Sequence, residues 1–234
     1  MFTTYEHRTP LTLPSLERFP RPHGLGVSAL RSAIQLMTRV LLRTYNRLEI
    51  VGQENLPLDR SFIMVCNHSS HLDAMCLLAS LPLTRVHRAF PVAAADYFFA
   101  TPLRSILSVI AVNGLPIDRH HGRDGLEMCR ELLSSPGQVL IIFPEGTRTC
   151  SGAIGRFRSG VARLAAGTDT PVIPCHLSGA FDAWPKGRDL PRPLPVHLRI
   201  GRPRTFAAVD PADHGAVSHV SSQLREDVVA LGRR

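Results

Sequence analysis

Two continuously apolar runs, Ser61-Phe62-Ile63-Met64-Val65-Cys66 and Val139-Leu140-Ile141-Ile142-Phe143, stand out along the chain, and each breaks abruptly into polar residues. Both have strand length, turn residues at their borders and no alternation, the pattern of strands buried on both faces of a parallel sheet. Pro171-Val172-Ile173-Pro174 predicts a short third strand and Val196 to Ile200 a fourth. Helical periodicity lies between them: His71 to about Ser80, a helix capped by Asp124 and running to about Leu133, Phe157 to Ala166, and a C-terminal helix capped by Ser218 with Leu224, Val228 and Leu231 on one face. Strands alternating with helices predict an α/β fold, a largely parallel central sheet flanked by helices. Ligands of such sheets bind at the carboxyl ends of the strands, where both apolar runs break.

Upstream the pattern differs. Residues 1 to 25 carry Pro10, Pro14, Pro20 and Pro22 among polar residues and read as a mobile Pro-rich arm. At 100° per residue, Val27, Leu30, Ile34, Met37, Leu41, Tyr45 and Leu48 fall in an arc about 80° wide, opposite Arg39, Arg43 and Arg47. This predicts an N-terminal amphipathic basic helix over residues 26 to 49, lying on a lipid surface with snorkelling arginines or packing on the core. Ser105 to Val112 reads by default as a core strand, and the aromatic stretch from Tyr97 to Ile110 as core or as part of a greasy acyl-chain groove.

Composition narrows the function classes. The 234 residues are 44% apolar with a net charge of +8, so the surface should attract an anionic partner such as phospholipid headgroups, a phosphorylated substrate or nucleic acid. Five cysteines without a C-x-x-C pair argue against a disulfide framework or a zinc ribbon and fit a reducing compartment. His71, His87, His120, His121, His176 and His197 show no metal-ligand spacing, so no metal is expected. No run of 18 apolar residues suggests a membrane span, and the N-terminus lacks the apolar core of a secretory signal.

Candidate chemistry sits where the two strands end. The first break, Asn67-His68-Ser69-Ser70-His71-Leu72-Asp73, puts a histidine five residues before an aspartate. Inside one helix that spacing turns the pair about 140° apart, so they meet only if His68 precedes the helix that Asp73 enters. Ser70 and Asp73 also fit a capping box, giving the carboxylate a structural role beside that of orienting the His68 ring as a general base. The second break, Phe143-Pro144-Glu145-Gly146-Thr147-Arg148, adds a carboxylate and an arginine. G-x-S-x-G is absent, so a covalent serine route has no sequence support, and direct attack by a hydroxyl that His68 deprotonates is the simpler chemistry.

In this order the motifs resemble the four blocks of the glycerolipid acyltransferases: Asn67-His68-(x4)-Asp73, Gly114 to Arg119, Phe143 to Arg148, and Val172-Ile173-Pro174. Phe157-Arg158-Ser159-Gly160 resembles the aromatic-basic-x-glycine stretch that often follows the third block, so similarity covers roughly residues 50 to 205. The resemblance implies an acyltransferase α/β domain over residues 50 to 234. By it, His68 is the general base and Asp73 its orienter, Arg119 and Arg148 bind the acceptor phosphate, and Glu145, Gly146 and Thr147 shape the acceptor site. Acyl-CoA or acyl-carrier protein is the implied co-substrate, with no bound cofactor and no metal. The implied acceptor is a lysophospholipid, 1-acylglycerol 3-phosphate above all, at the cytoplasmic face of a membrane, with the N-terminal helix as peripheral anchor and no nucleic acid as partner. Pro116 departs from the bulkier apolar residue usual in the second block. Another lysolipid acceptor, or a non-catalytic basic protein that binds membranes, stays open as an alternative.

Overall fold

The computed structural model describes residues 25–94, 112–117 and 122–233. In chain order the elements are α1 (Leu25–Tyr45), β1 (Glu49–Val51), β2 (Phe62–Cys66), α2 (Asp73–Ser80), α3 (Leu83–Val86), β3 (Ala89–Ala94), β4 (Leu115–Ile117), α4 (Gly122–Ser134), β5 (Val139–Ile142), α5 (Gly160–Ala165), β6 (Val172–Ser178), α6 (Ala180–Ala183), β7 (His197–Ile200) and α7 (His214–Gly232). The strands form one seven-stranded sheet in the order β1-β7-β6-β2-β5-β3-β4. Every neighbouring pair is parallel except β6 with β7, so the largely parallel α/β expectation holds.

The central strands explain the unbroken apolar runs. All five residues of β2 and all four of β5 are buried, because side chains that alternate across a sheet covered on both faces have no wet side. Phe62, Met64 and Cys66 enter the core shared with α1, α2 and α3, whereas Ile63 and Val65 enter the core shared with α4, α5 and α7. β2 and β5 lie side by side, with Phe62 opposite Val139 and Val65 opposite Ile142. Their carboxyl ends therefore open at one place.

Several boundaries move for identifiable reasons. β6 does not stop at Pro174: the proline lacks an N–H, but its carbonyl accepts from Gly201 N at 2.8 Å and the strand runs on to Ser178. α7 starts at His214 rather than at Ser218, because the Asp213 carboxylate caps it, accepting from Gly215 N and Ala216 N at 2.8 and 3.0 Å. Asp124 lies inside the first turn of α4 instead of capping it. Val112 is helical, not extended. The Pro-rich arm and the aromatic stretch from Tyr97 to Ile110 lie outside the described residues.

The largest surprise is the orientation of α1. The helix ends at Tyr45, with Arg47 at φ 46° beyond it, so Leu48 is not part of it. Its apolar arc faces outward: Leu30, Met37 and Leu41 are 50%, 67% and 55% exposed, as are Leu36 and Val40 at 54% and 55%. The side facing the protein is the strip between that arc and the arginines, where Arg31, Gln35 and Asn46 are buried beside Leu42, while Arg43 and Arg47 are exposed. Arg39 reaches the carboxyl end of α2 and donates to the carbonyls of Leu78 and Leu81, which satisfies end carbonyls and opposes the negative pole of that helix. Packing by its predicted apolar stripe is the reading that this orientation overturns.

Candidate active site

The first loop is built outward from β2. Asn67, buried, uses its whole amide on one backbone unit: Nδ2 donates to Leu177 O and Oδ1 accepts from Leu177 N, both at 2.9 Å. That pins the end of β2 to β6 and sets the departure of His68. The chain then turns back, and His68 Nδ1 comes within 2.8 Å of Asp73 Oδ2.

Asp73 is fully buried at the first position of α2. Its Oδ2 also accepts from Ser69 N and Ser70 N at 2.7 and 2.8 Å. An oxygen already receiving two N–H groups acts as an acceptor, so the imidazole nitrogen facing it carries the hydrogen and Nε2 keeps its lone pair. Only one half of the capping box forms: Asp73 Oδ2 accepts from Ser70 N, but Ser70 Oγ does not cap in return. Ser70 Oγ accepts from Leu72 N and donates to Trp184 O instead, and the residue before the helix, Leu72, makes no side-chain cap. Asp73 shapes the loop before its helix rather than exchanging caps with Ser70.

The second loop closes over the first. Phe143 stacks on the His68 ring with centroids 4.1 Å apart and planes 18° from parallel. Glu145 Oε1 accepts from His68 N at 2.7 Å and its Oε2 from Gly155 N at 2.8 Å, while Thr149 N donates to His68 O at 2.9 Å. Glu145 is thus a buried strap between three backbone segments, and its effect on any acceptor runs through them. Gly146 sits at φ 74°, with its N donating to Phe143 O at 3.0 Å, and a Cβ there would come 2.8 Å from Arg158 Nε. A side chain fits neither the conformation nor the space. Thr147 is exposed at the loop surface.

Arg148 returns to the first loop, its Nη1 lying 2.7 Å from both ring nitrogens of His71. Burial, followed by the nearby Arg148 charge, lowers the His71 pKa to about 4, so the ring stays neutral at physiological pH. The His71 ring also packs against Trp184, with centroids 5.1 Å apart and planes tilted by 41°.

The structure therefore brings together His68, Asp73, Glu145, Gly146 and Arg148, whereas Arg119 lies outside the described residues. Sequence reasoning missed Asn67 as a backbone anchor, Phe143 as the stacking partner, and both His71 and Trp184. Phe143 alone had a usable signal, as the last apolar residue before the second polar break. Among the described residues, no group of three His, Cys, Asp or Glu side chains is arranged to hold a metal ion.

A family model described as Acyltransferase matches residues 47–178. The chloroplastic 1-acyl-sn-glycerol-3-phosphate acyltransferase of Arabidopsis thaliana is 31% identical over 160 residues, covering 66% of this chain and 42% of that protein. The alpha form of 1-acyl-sn-glycerol-3-phosphate acyltransferase from Mus musculus is 27% identical over 192 residues, covering 80% of this chain and 64% of its own. The chain spans about half the length of the curated relatives it matches. Among solved structures, the 1-acyl-sn-glycerophosphate acyltransferase of Thermotoga maritima superposes with a TM-score of 0.65 at 23% identity, over 89% of this chain and 81% of that one, and shares the fold.

Proposed function

Because this chain belongs to the acyltransferase family, we propose that it moves an acyl group from acyl-CoA or acyl-carrier protein to the free hydroxyl of 1-acylglycerol 3-phosphate, giving phosphatidic acid. The observation that carries the reading is the His68–Asp73 pair, 2.8 Å apart at the carboxyl end of β2, with the loop bearing Arg148 folded against it. Asp73 holds Nδ1–H, and the bare Nε2 takes the proton of the acceptor hydroxyl as its oxygen attacks the thioester carbonyl. The new C–O bond forms, the C–S bond breaks, and the proton passes to the departing thiolate. Arg148 is the candidate holder of the acceptor phosphate, a group that a planar guanidinium grips through paired donors; Arg119 keeps the same proposed role.

Lipid chemistry has further support. The outward apolar arc of α1 suits a helix resting on a bilayer, with the protein peripheral at the cytoplasmic face. Among the described residues no helix is long and apolar enough to cross a membrane. An apolar cavity of ≈ 200 Å³ lies between α1 and α2, lined by Leu41, Leu42, Leu72, Met75 and Trp184 among others, and suits an aliphatic chain.

The test is to incubate purified protein with acyl-CoA or acyl-carrier protein and 1-acylglycerol 3-phosphate, detecting phosphatidic acid by mass spectrometry and free thiol in parallel. Transfer by the wild type, lost in a folded His68→Ala, supports the mechanism. Full transfer by His68→Ala rejects it.

A further inference from the structure

The loop that follows α6 is fastened to the carboxyl end of α1. Tyr45 OH donates to Pro191 O at 3.1 Å, Asn46 Nδ2 donates to Arg192 O and Leu194 O at 2.9 and 3.2 Å, and Arg47 Nη2 donates to Pro193 O at 2.8 Å. Arg192 N closes the base of the loop on Ala183 O at 2.8 Å. Pro185, Pro191, Pro193 and Pro195 stiffen it. Pro191 also shares a cavity wall with Leu41 and Tyr45 of the outward arc.

The tip of this loop is apolar and its surround is cationic. Leu190 is 76% exposed, more than any other large apolar side chain among the described residues, and Lys186, Arg188 and Arg192 around it are exposed too. None of the three cations is in an ion pair with a described residue, and Asp189 is the only carboxylate between Trp184 and Pro195. A single exposed leucine is ordinary. This one adjoins Pro191, so it extends the apolar area of α1, and its cations extend the exposed Arg43 and Arg47.

We propose that the loop from Pro185 to Pro195 is a second membrane contact, with Leu190 in the interface of a bilayer and Lys186, Arg188 and Arg192 on anionic phospholipid headgroups. The inference rests on the reading of α1 as a helix resting on a bilayer, and adds what one helix cannot supply. A cylinder lying on a surface rolls about its axis; a contact fastened beside one end stops the roll. An apolar tip ringed by cations has the composition that binds an anionic lipid surface, and four prolines leave fewer N–H groups to be stripped of water there. The orientation reaches the site through Trp184 at the root of the loop. Its carbonyl accepts from His71 N at 3.1 Å and Ser70 Oγ at 2.8 Å, and its indole Nε1 donates to Arg188 O at 2.8 Å. A bilayer that holds Arg188 and Leu190 thereby sets the height of the His68 loop above the lipid, where a lysolipid presents its hydroxyl while its acyl chain stays in the bilayer.

The test uses the full chain with Cys150→Ser, which removes the exposed thiol, and an environment-sensitive nitrobenzoxadiazole label on one introduced cysteine. The sites are Leu190→Cys in the loop, Met37→Cys on α1, and Ser222→Cys, exposed on α7 across the sheet. With vesicles of phosphatidylcholine and phosphatidylglycerol, the first two labels should brighten and shift to the blue, and the third should not. Lys186→Gln, Arg188→Gln and Arg192→Gln combined should weaken association with these vesicles at least about tenfold, since each cation near an anionic surface contributes about fivefold. Binding to phosphatidylcholine alone should stay as in wild type. Trp184 is the single tryptophan of the chain, so unchanged emission of the triple variant without lipid verifies that the loop keeps its fold. If the label on Met37→Cys responds and that on Leu190→Cys does not, α1 keeps its membrane role and the loop contact is overturned. If neither responds, the membrane reading fails and takes the inference with it. A label on Leu190→Cys that shifts without lipid as protein concentration rises would assign the patch to a second copy of the chain and overturn the bilayer. A triple variant that binds anionic vesicles like wild type overturns the headgroup contact.

Discussion

Glu145 Oε1 accepts the backbone N–H of His68 at 2.7 Å, so the carboxylate of the second motif holds the catalytic candidate of the first by its main chain. The other oxygen holds Gly155 N at 2.8 Å. Glu145→Gln must turn an amide NH2 toward one of these two N–H donors. It should lose about 1–3 kcal/mol of stability and also lower kcat, because His68 loses its backbone anchor. Urea unfolding alongside turnover checks this, and a Glu145→Gln protein with wild-type values in both would show that the strap is idle.

Asp73 has two separable duties. Asp73→Ala removes the acceptor of Ser69 N and Ser70 N as well as the partner of His68 Nδ1, and should cost about 2–4 kcal/mol through buried N–H groups left unpaired. Asp73→Asn can present its amide oxygen to the two backbone donors and retain most of that stability. Its activity should still drop by roughly 10²–10⁴, because the charge that orients and supports the protonated His68 is gone. Equal stability losses in the two variants would contradict this division.

Acid should weaken the fold through His71. Its pKa in the folded chain is about 4 against an ordinary 6.5; between these values the unfolded chain binds a proton that the folded chain refuses. Stability from this group is therefore complete above about pH 6.5 and declines as the pH falls toward 4. Burial moves His87 and His176 in the same direction. The urea midpoint should fall over this interval, and fall less in His71→Phe. A curve for His71→Phe parallel to wild type would remove His71 as a contributor.

Thiol chemistry should distinguish one cysteine from four. Cys66, Cys76, Cys129 and Cys175 are buried and Cys150 is exposed. Burial raises all four buried thiols above the usual cysteine range, Cys129 to about 12, which depletes the reactive thiolate. An aromatic disulfide reagent should titrate one fast thiol per folded chain, absent from Cys150→Ser, and the other four only after denaturation.

The outward face of α1 should be required for lipid binding and dispensable for folding. Met37→Glu combined with Leu41→Glu changes two side chains that are 67% and 55% exposed, so the melting temperature should move by no more than about 2 °C while co-sedimentation with anionic phospholipid vesicles falls severalfold. Unchanged vesicle binding would remove α1 from the membrane contact.

The middle of the sheet was legible because β2 and β5 are buried on both faces, a condition that writes itself into an unbroken apolar run, whereas β1, β3 and β4 were not foreseen. The His68–Asp73 contact was legible because a five-residue spacing admits only one geometry. α1 illustrates the limit. Periodicity finds an amphipathic helix but says nothing of which face the protein takes, and here Arg39 meeting the end of α2 coincides with a polar inward side. His71 and Trp184 were invisible for another reason: they meet across 113 residues of chain, and neither sits in a spacing that implies the other. Glu145 was expected to shape the acceptor site; that its two oxygens accept from His68 N and Gly155 N is a detail that no residue spacing carries.

Phe62 with Val139, His68 with Glu145 and His71 with Arg148 all meet at one sequence offset of 77 residues, which has an evolutionary corollary. Each rung of a parallel strand pair advances about 3.3 Å, so an insertion or deletion of one residue between Phe62 and His71, or between Val139 and Arg148, displaces one loop against the other by about that step. A point substitution in these segments acts at its own position and leaves the register intact. A length change does not, because one residue added ahead of His68 or of Glu145 dislodges Glu145 from His68 and Arg148 from His71 together. The two segments should therefore evolve at constant length, leaving lineage-specific gain and loss of residues to other parts of the chain.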